Sequence, residues 1–200
     1  ADEIKRLLQW SRQCDINLII DESFLDFADA ENLSLLSEQV LKENKNLYVV
    51  KSISKSYGVP GIRLGILASG NTDMIGRLKK DVSIWNINSM AEFFMQILDK
   101  YKSDYTDSLR KIKEERSRFL NELCAIKNLK VYPSQANYFM CEILDGISSE
   151  ELAGRLLKEN ILIKDLTGKI HNGKQYIRIA IRGEEENRIL VEKLKVCMKQ

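Results

Sequence analysis

The sequence predicts an α/β chain in two parts, a mixed sheet with helices followed by a compact α+β domain. Three observations carry this. Two short apolar runs, 17–20 and 47–50, bracket a helically spaced stretch, the pattern of a strand–helix–strand crossover with parallel strands. A third apolar run, 64–69, follows too closely for another crossover helix, so it is expected to run antiparallel to its neighbour. After Lys127-Asn128 the pattern changes to short strands alternating with short helices.

Taken in order, Ile4, Leu7, Leu8 and Trp10 suggest one face of an opening helix, and 17–20 the first buried strand, ending at Asp21-Glu22. Residues 33–41 have helical spacing, and 47–50 form the second strand. Residues 72–80 read as a short helix and Trp85-Asn-Ile-Asn88 as a loop. From Ser89 a helical stretch runs to Leu123, with a break near Ser103-Asp104. Strands are then expected at 129–132, 137–143, 161–164 and 175–182. A capping box at Ser148-Ser-Glu-Glu151 opens one helix, and Gly183 precedes the last.

Composition narrows the classes. The 200 residues are 44% hydrophobic and 30% charged, a globular rather than a disordered balance. A net charge of +2 supplies no field for nucleic acid or a membrane surface, and no apolar run is long enough to span a bilayer. The start Ala1-Asp-Glu-Ile-Lys-Arg does not read as a signal peptide, and the thiols that follow suggest a reducing cytoplasm as the setting. Cys14, Cys124, Cys141 and Cys197 show no metal-type spacing, and three of the four are expected as buried thiols. His171, the single histidine, argues against a histidine metal site or a Ser-His-Asp triad, and no metal is expected.

The most informative string is Lys51-Ser-Ile-Ser-Lys-Ser-Tyr-Gly-Val-Pro-Gly-Ile-Arg-Leu-Gly65. Lys55 lies among hydroxyl residues, where a partly desolvated amine becomes a nucleophile toward aldehydes. Ser52, Ser54 and Arg63 are phosphate-binding types, through hydroxyl donors and a planar guanidinium fork. A basic surface loop is the plain alternative for a bare Ser-x-Ser-Lys; the full string is far more specific. Asp21 and Lys55 follow neighbouring strand ends, where open α/β sheets place ligands.

The string closely resembles the cofactor-lysine segment of the class I/II aminotransferases, fold-type I enzymes dependent on pyridoxal 5′-phosphate. The resemblance runs from about residue 17 to the chain end. It implies that Lys55 forms the Schiff base, that Ser52, Ser54 and Arg63 hold the cofactor phosphate, and that Asp21 faces the ring nitrogen. Phe24 stands where most of the family carries a tyrosine that bonds the ring oxygen. Asp21-Glu-Ser-Phe-Leu-Asp-Phe27 looks instead like the threonine-phosphate decarboxylases related to histidinol-phosphate aminotransferase. Arg178, in Tyr176-Ile-Arg-Ile-Ala-Ile-Arg182, matches the small-domain arginine that grips the substrate carboxylate. Asn137, in Ser134-Gln-Ala-Asn-Tyr, matches an asparagine near substrate. Arg182 is a weaker candidate for a substrate phosphate. Trp85-Asn-Ile-Asn88 is either a packed tryptophan in a turn or a loop near substrate, Tyr57 has no assigned role, and Lys79-Lys80 reads as a solvated pair.

The implied layout is a partial large domain at 1–100, a connecting helix at 101–127 and a small domain at 128–200. Such enzymes are nearly twice this length, so the chain is expected to be a C-terminal piece of one, inactive alone. A dimer arm and half of the large domain would precede Ala1, as would a fused nucleotidyltransferase in some bacterial relatives. The implied activity is transfer of an amino group between a small-molecule donor and a 2-oxoacid, by a homodimer when full length, with a phosphate- or phosphonate-bearing substrate in view. Decarboxylation of the threonine-phosphate type is the alternative, and an inactive structural or regulatory domain another. A generic phosphate-binding domain is poorer, because no Gly-x-x-x-x-Gly-Lys-Ser/Thr or Gly-x-Gly-x-x-Gly string is present.

Overall fold

A computed structural model describes residues 2–198, which fall into two compact units, Ala1–Asp107 and Ser108–Gln200. The first contains α1 (Asp2–Gln13), β1 (Leu18–Asp21), α2 (Glu38–Glu43), β2 (Leu47–Ser52), α3 (Ile53–Ser56), β3 (Gly65–Ser69), α4 (Thr72–Asp81) and α5 (Ser89–Ile97). Helix α6 (Lys102–Cys124) starts in the first unit and continues into the second. The second unit adds β4 (Leu129–Val131), β5 (Tyr138–Ile143), α7 (Ser149–Lys158), β6 (Lys164–Asp165), β7 (Gln175–Ala180) and α8 (Glu184–Cys197).

In the first unit β2 is central, parallel to β1 and antiparallel to β3, so the sheet is mixed as the spacing predicts. Asp21 pairs with Val50, and β2 therefore runs two residues past the end of β1. Leu47 and Val49 are fully buried against Leu8 of α1. The inward side of α1 also carries Ser11, not Trp10. Ser11 Oγ donates to Leu8 O at 2.9 Å and accepts from Asn46 Nδ2 at 3.0 Å, while Trp10 is exposed.

The helix expected over 33–41 is only α2. The buried Glu22 carboxylate accepts from Ser34 Oγ (2.7 Å) and Leu35 N (2.6 Å), holding that stretch outside a helix. Ser37 then caps α2, accepting from Val40 N. Helix α2 lies so close to the end of β3 that a Cβ at Gly70 would come within 1.9 Å of Leu41 O. The helical break falls at a 3-10 segment, Leu98–Tyr101, earlier than Ser103.

The second unit is a four-stranded antiparallel sheet, β4-β5-β7-β6. Its core joins Phe119 and Leu123 of α6, Phe139 of β5, Leu152 of α7, Ile177 of β7 and Leu194 of α8. Alternation along β7 follows the pleat, with Ile177 and Ile179 buried and Arg178 and Ala180 exposed. The strand expected over 161–164 pairs only as β6. Buried Arg116 donates to the carbonyls of Gln135 (2.9 Å) and Ala136 (3.3 Å), fixing the turn before β5. Of the cysteines only Cys141 is buried, its thiol pushed up to about 12 by burial; Cys14 and Cys124 are exposed, against the expectation of three buried thiols. Among the described residues no helix is long and apolar enough to cross a membrane.

Candidate active site

The candidate residues of the first unit gather at the carboxyl ends of β1 and β2. Asp21 ends β1 with an exposed side chain, and its Oδ1 accepts from Ser23 N at 2.8 Å, which closes a tight turn. Ser23 Oγ in turn accepts from Ser52 N at 2.9 Å, linking that turn to the end of β2. Ser52 is the residue before α3, and its hydroxyl makes no cap hydrogen bond. Lys55 stands on α3 with its Nζ 5.7 Å from the centre of the Phe24 ring, so Phe24 meets the lysine as an aromatic face. Lys55 is exposed rather than partly desolvated.

Ser54 differs from these. It is 5% exposed, and its hydroxyl oxygen has no hydrogen-bond partner among the described residues. A buried hydroxyl without a partner costs free energy, and such an atom fits an oxygen-rich ligand. Arg63 ends the 3-10 turn Pro60–Ile62 in the left-handed region, φ +52°, with Nη1 donating to Pro60 O at 3.2 Å and the side chain exposed.

Neighbouring groups tie this segment down. Asp26 Oδ1 accepts from Lys51 Nζ at 2.6 Å, and its Oδ2 accepts from Tyr105 Oη at 2.7 Å. Burial pushes the Asp26 carboxyl up, but the Lys51 and Tyr105 hydrogen bonds outweigh it and hold it below the usual carboxylate range. Burial, with the adjacent Asp26 charge, pushes the Tyr105 phenol far up, so it remains a donor. The Tyr105 ring stacks on Tyr57 with centroids 3.9 Å apart and planes 5° from parallel. Sequence reasoning passed over Asp26 and Tyr105. The Asp-Phe of the 21–27 string was a visible signal for the first; nothing in the sequence pairs the second with it.

In the second unit Arg178 is exposed on the face of β7 opposite the buried Ile177 and Ile179, its guanidinium 5.1 Å from the Tyr138 ring centre. No carboxylate pairs with it among the described residues. Lys164 lies opposite in register on β6, and both line a hollow of about 780 Å³ with Lys169, Asp165, Gly168 and Ala180. The Asp165 carboxylate is engaged by Thr167, through N (2.9 Å) and Oγ1 (2.7 Å). Asn137 precedes β5, and its carbonyl accepts from Ile181 N at 2.9 Å. Arg182 Nε is committed to Glu186 at 2.7 Å. Trp85 is 89% exposed, so it is not a packed tryptophan. Lys164 and Lys169 were missed because the strand carrying Lys164 has only two paired residues and no alternation marks it.

Comparison with known proteins gives the family. The family model described as Aminotransferase class I and II matches residues 1–194. The chain is 37% identical over 179 residues to CMP-5′-(3-aminopropyl)phosphonate synthase of Streptomyces rubellomurinus, covering 88% of this chain and 28% of that one. It is 36% identical to an L-serine phosphate decarboxylase of Campylobacter jejuni, covering 89% of this chain and 47% of the relative. The fold superposes on the histidinol-phosphate aminotransferase of Clostridium acetobutylicum with a TM-score of 0.88 at 30% identity, covering 98% of this chain and 58% of that structure. The chain thus spans about half or less of the curated relatives it matches. It belongs to the class I and II aminotransferase family, whose cofactor is pyridoxal 5′-phosphate.

Proposed function

We propose that this chain is the C-terminal part of a pyridoxal-phosphate-dependent aminotransferase-like enzyme acting on an amino acid with a second anionic group, a phosphate or phosphonate. The observation that carries the reading is the placement of Lys55 and Asp21 at the carboxyl ends of adjacent parallel strands, with the unpartnered Ser54 hydroxyl beside the lysine. When bound, the cofactor supplies a carbonyl that condenses with amines and a ring that withdraws electrons from the substrate Cα. Lys55 would hold it and would move a proton at the substrate Cα. Asp21 keeps the ring nitrogen protonated. Ser52, Ser54 and Arg63 donate hydrogen bonds to the cofactor phosphate, while Arg178 presents its fork to the substrate carboxylate. Asn137 contributes on the substrate side.

Lys164 and Lys169 beside Arg178 support an anionic substrate, because the hollow they share holds three cations against one already engaged carboxylate. The phosphate and phosphonate in the relatives' names point the same way. A second reading, decarboxylation of a phosphorylated amino acid, is favoured by Phe24, which offers Lys55 a ring face and no hydroxyl. The full-length protein is read as a homodimer in the cytoplasm, needing no nucleic acid, membrane or metal.

The test uses the full-length protein. Saturation with cofactor, borohydride reduction and peptide mapping should find the label on Lys55; an unlabelled Lys55 would refute the assignment. Product analysis with O-phosphoserine and 2-oxoglutarate then separates the readings. A new oxoacid marks transfer; carbon dioxide and an amine mark decarboxylation.

A further inference from the structure

Asp26 and Tyr105 take no direct part in the chemistry above, yet they hold the lysine segment on both sides. Four residues before Lys55, the Lys51 ammonium meets Asp26 Oδ1 at 2.6 Å; two residues after it, the Tyr57 ring lies flat on Tyr105 at 3.9 Å. Tyr105 Oη joins the two restraints by donating to Asp26 Oδ2 at 2.7 Å. Asp26 itself lies five residues past Asp21, on the turn that Ser23 already fastens to Ser52. The segments carrying Asp21 and Lys55 are thus joined through one carboxylate with both oxygens engaged. Lys51 and Asp26 are only 14% and 18% exposed, so solvent weakens the pair little. Phe94 also meets the Tyr57 ring in an edge contact, with centroids 6.0 Å apart.

We propose that Asp26 is a positioning residue for Lys55. Its carboxylate keeps the lysine amine and the Asp21 carboxylate at a fixed separation, so that both engage one cofactor at once. Lys51, Tyr105 and Tyr57 transmit that restraint. Small displacements of a reacting group cost large factors in rate, so a fold that sets this distance through a rigid, shielded contact gains more than stability from it. The inference rests on the assignment of Lys55 to the cofactor.

The test uses the full-length protein with pyridoxal phosphate, comparing Asp26→Asn, Lys51→Met and the double variant. Four quantities are read: kcat, KM for the amino acid, the pH midpoint of the bound cofactor's visible band, and the melting temperature without cofactor. Each single variant should lower kcat roughly tenfold or more while KM changes about twofold or less, the pattern of a group acting on the reacting centre. Each should also move the band midpoint by about half a pH unit or more, since the bound nitrogen reports its own surroundings. The double variant should lose no more than either single, because both remove one contact. Asp26→Glu should restore part of kcat. Lowered melting temperature with kcat and band midpoint unchanged would overturn the proposal, leaving Asp26 a stabilising contact. If Asp26→Asn does not fold, Tyr105→Phe keeps the ion pair and removes one hydrogen bond. A smaller shift of the same band then supports the proposal, and an unmoved band overturns it. A wild-type protein that binds no pyridoxal phosphate would instead refute the Lys55 assignment, and the positioning role with it.

Discussion

Gly70 offers a demanding test of the first unit. A Cβ built there meets Leu41 O at 1.9 Å and Leu41 C at 2.6 Å, against 3.4 Å for ordinary contact. Both atoms are backbone, so no rotamer change relieves the overlap; the start of the β3–α4 connection and the end of α2 must part by about 1.5 Å. Overpacking a well-packed site costs about 1–3 kcal/mol, and a clash between two backbones belongs at or above the upper end. For a unit of about 100 residues, ~3 kcal/mol lowers the melting temperature by roughly 10 °C or more. Gly76 is the internal control: it lies in α4 with nothing within 4 Å of an added Cβ. Gly76→Ala should therefore stabilise by about 0.5–1 kcal/mol through helix propensity and backbone entropy. Amide exchange at Leu47 and Val49, fully buried in β2, reads the stability of this unit apart from the second. A Gly70→Ala protein that melts with wild type, while Gly76→Ala behaves as expected, would refute the close approach of α2 to the end of β3.

Other expectations follow from single contacts. Arg116→Met removes the donor to two carbonyls beside Asn137 and should destabilise the second unit by about 2–4 kcal/mol in urea titration, with faster amide exchange in 133–137; unchanged exchange would argue that the turn holds without it. The Asp26 carboxyl titrates below its ordinary 3.8, so as pH falls the unfolded chain takes up the proton first. The stability difference between wild type and Asp26→Asn should thus be full above about pH 4 and shrink as pH falls through the folded value; a gap that widens in acid would contradict the ion pair. Alkylation at about pH 8 followed by mass spectrometry should label Cys14 and Cys124 well before Cys141, whose thiol is buried and raised to about 12. Equal labelling would show that the sheet of the second unit opens readily.

Much of the fold was legible because its signals are local. The runs at 17–20 and 47–50 are too short and apolar for surface helices, and the interval before 64–69 excludes a crossover, so the mixed sheet follows from spacing alone. The pleat of β7 was equally readable from Tyr176-Ile-Arg-Ile-Ala-Ile-Arg182. What failed was set by distant partners. Residues 33–36 carry helical spacing, but Glu22, a dozen residues away, takes their polar groups. Ser11 rather than Trp10 takes the inward position, where its hydroxyl accepts from Asn46. The candidate site shows the same division. The Lys55 string and Asp21 could be read from motif and topology. Asp26 with Tyr105 is a contact across 79 residues, and Lys164 opposite Arg178 depends on a register that two residues of strand cannot announce.

The left-handed backbone at Arg63 has a consequence for how this protein could be improved. Outside glycine, that conformation costs about 1–2 kcal/mol, and here it falls on a large side chain at the candidate phosphate cup. A screen for heat resistance would favour glycine at 63 and, on the reading above, discard the guanidinium with the strain. Stability and cofactor affinity are therefore opposed at this one residue, and thermostable variants should be checked there first for lost function.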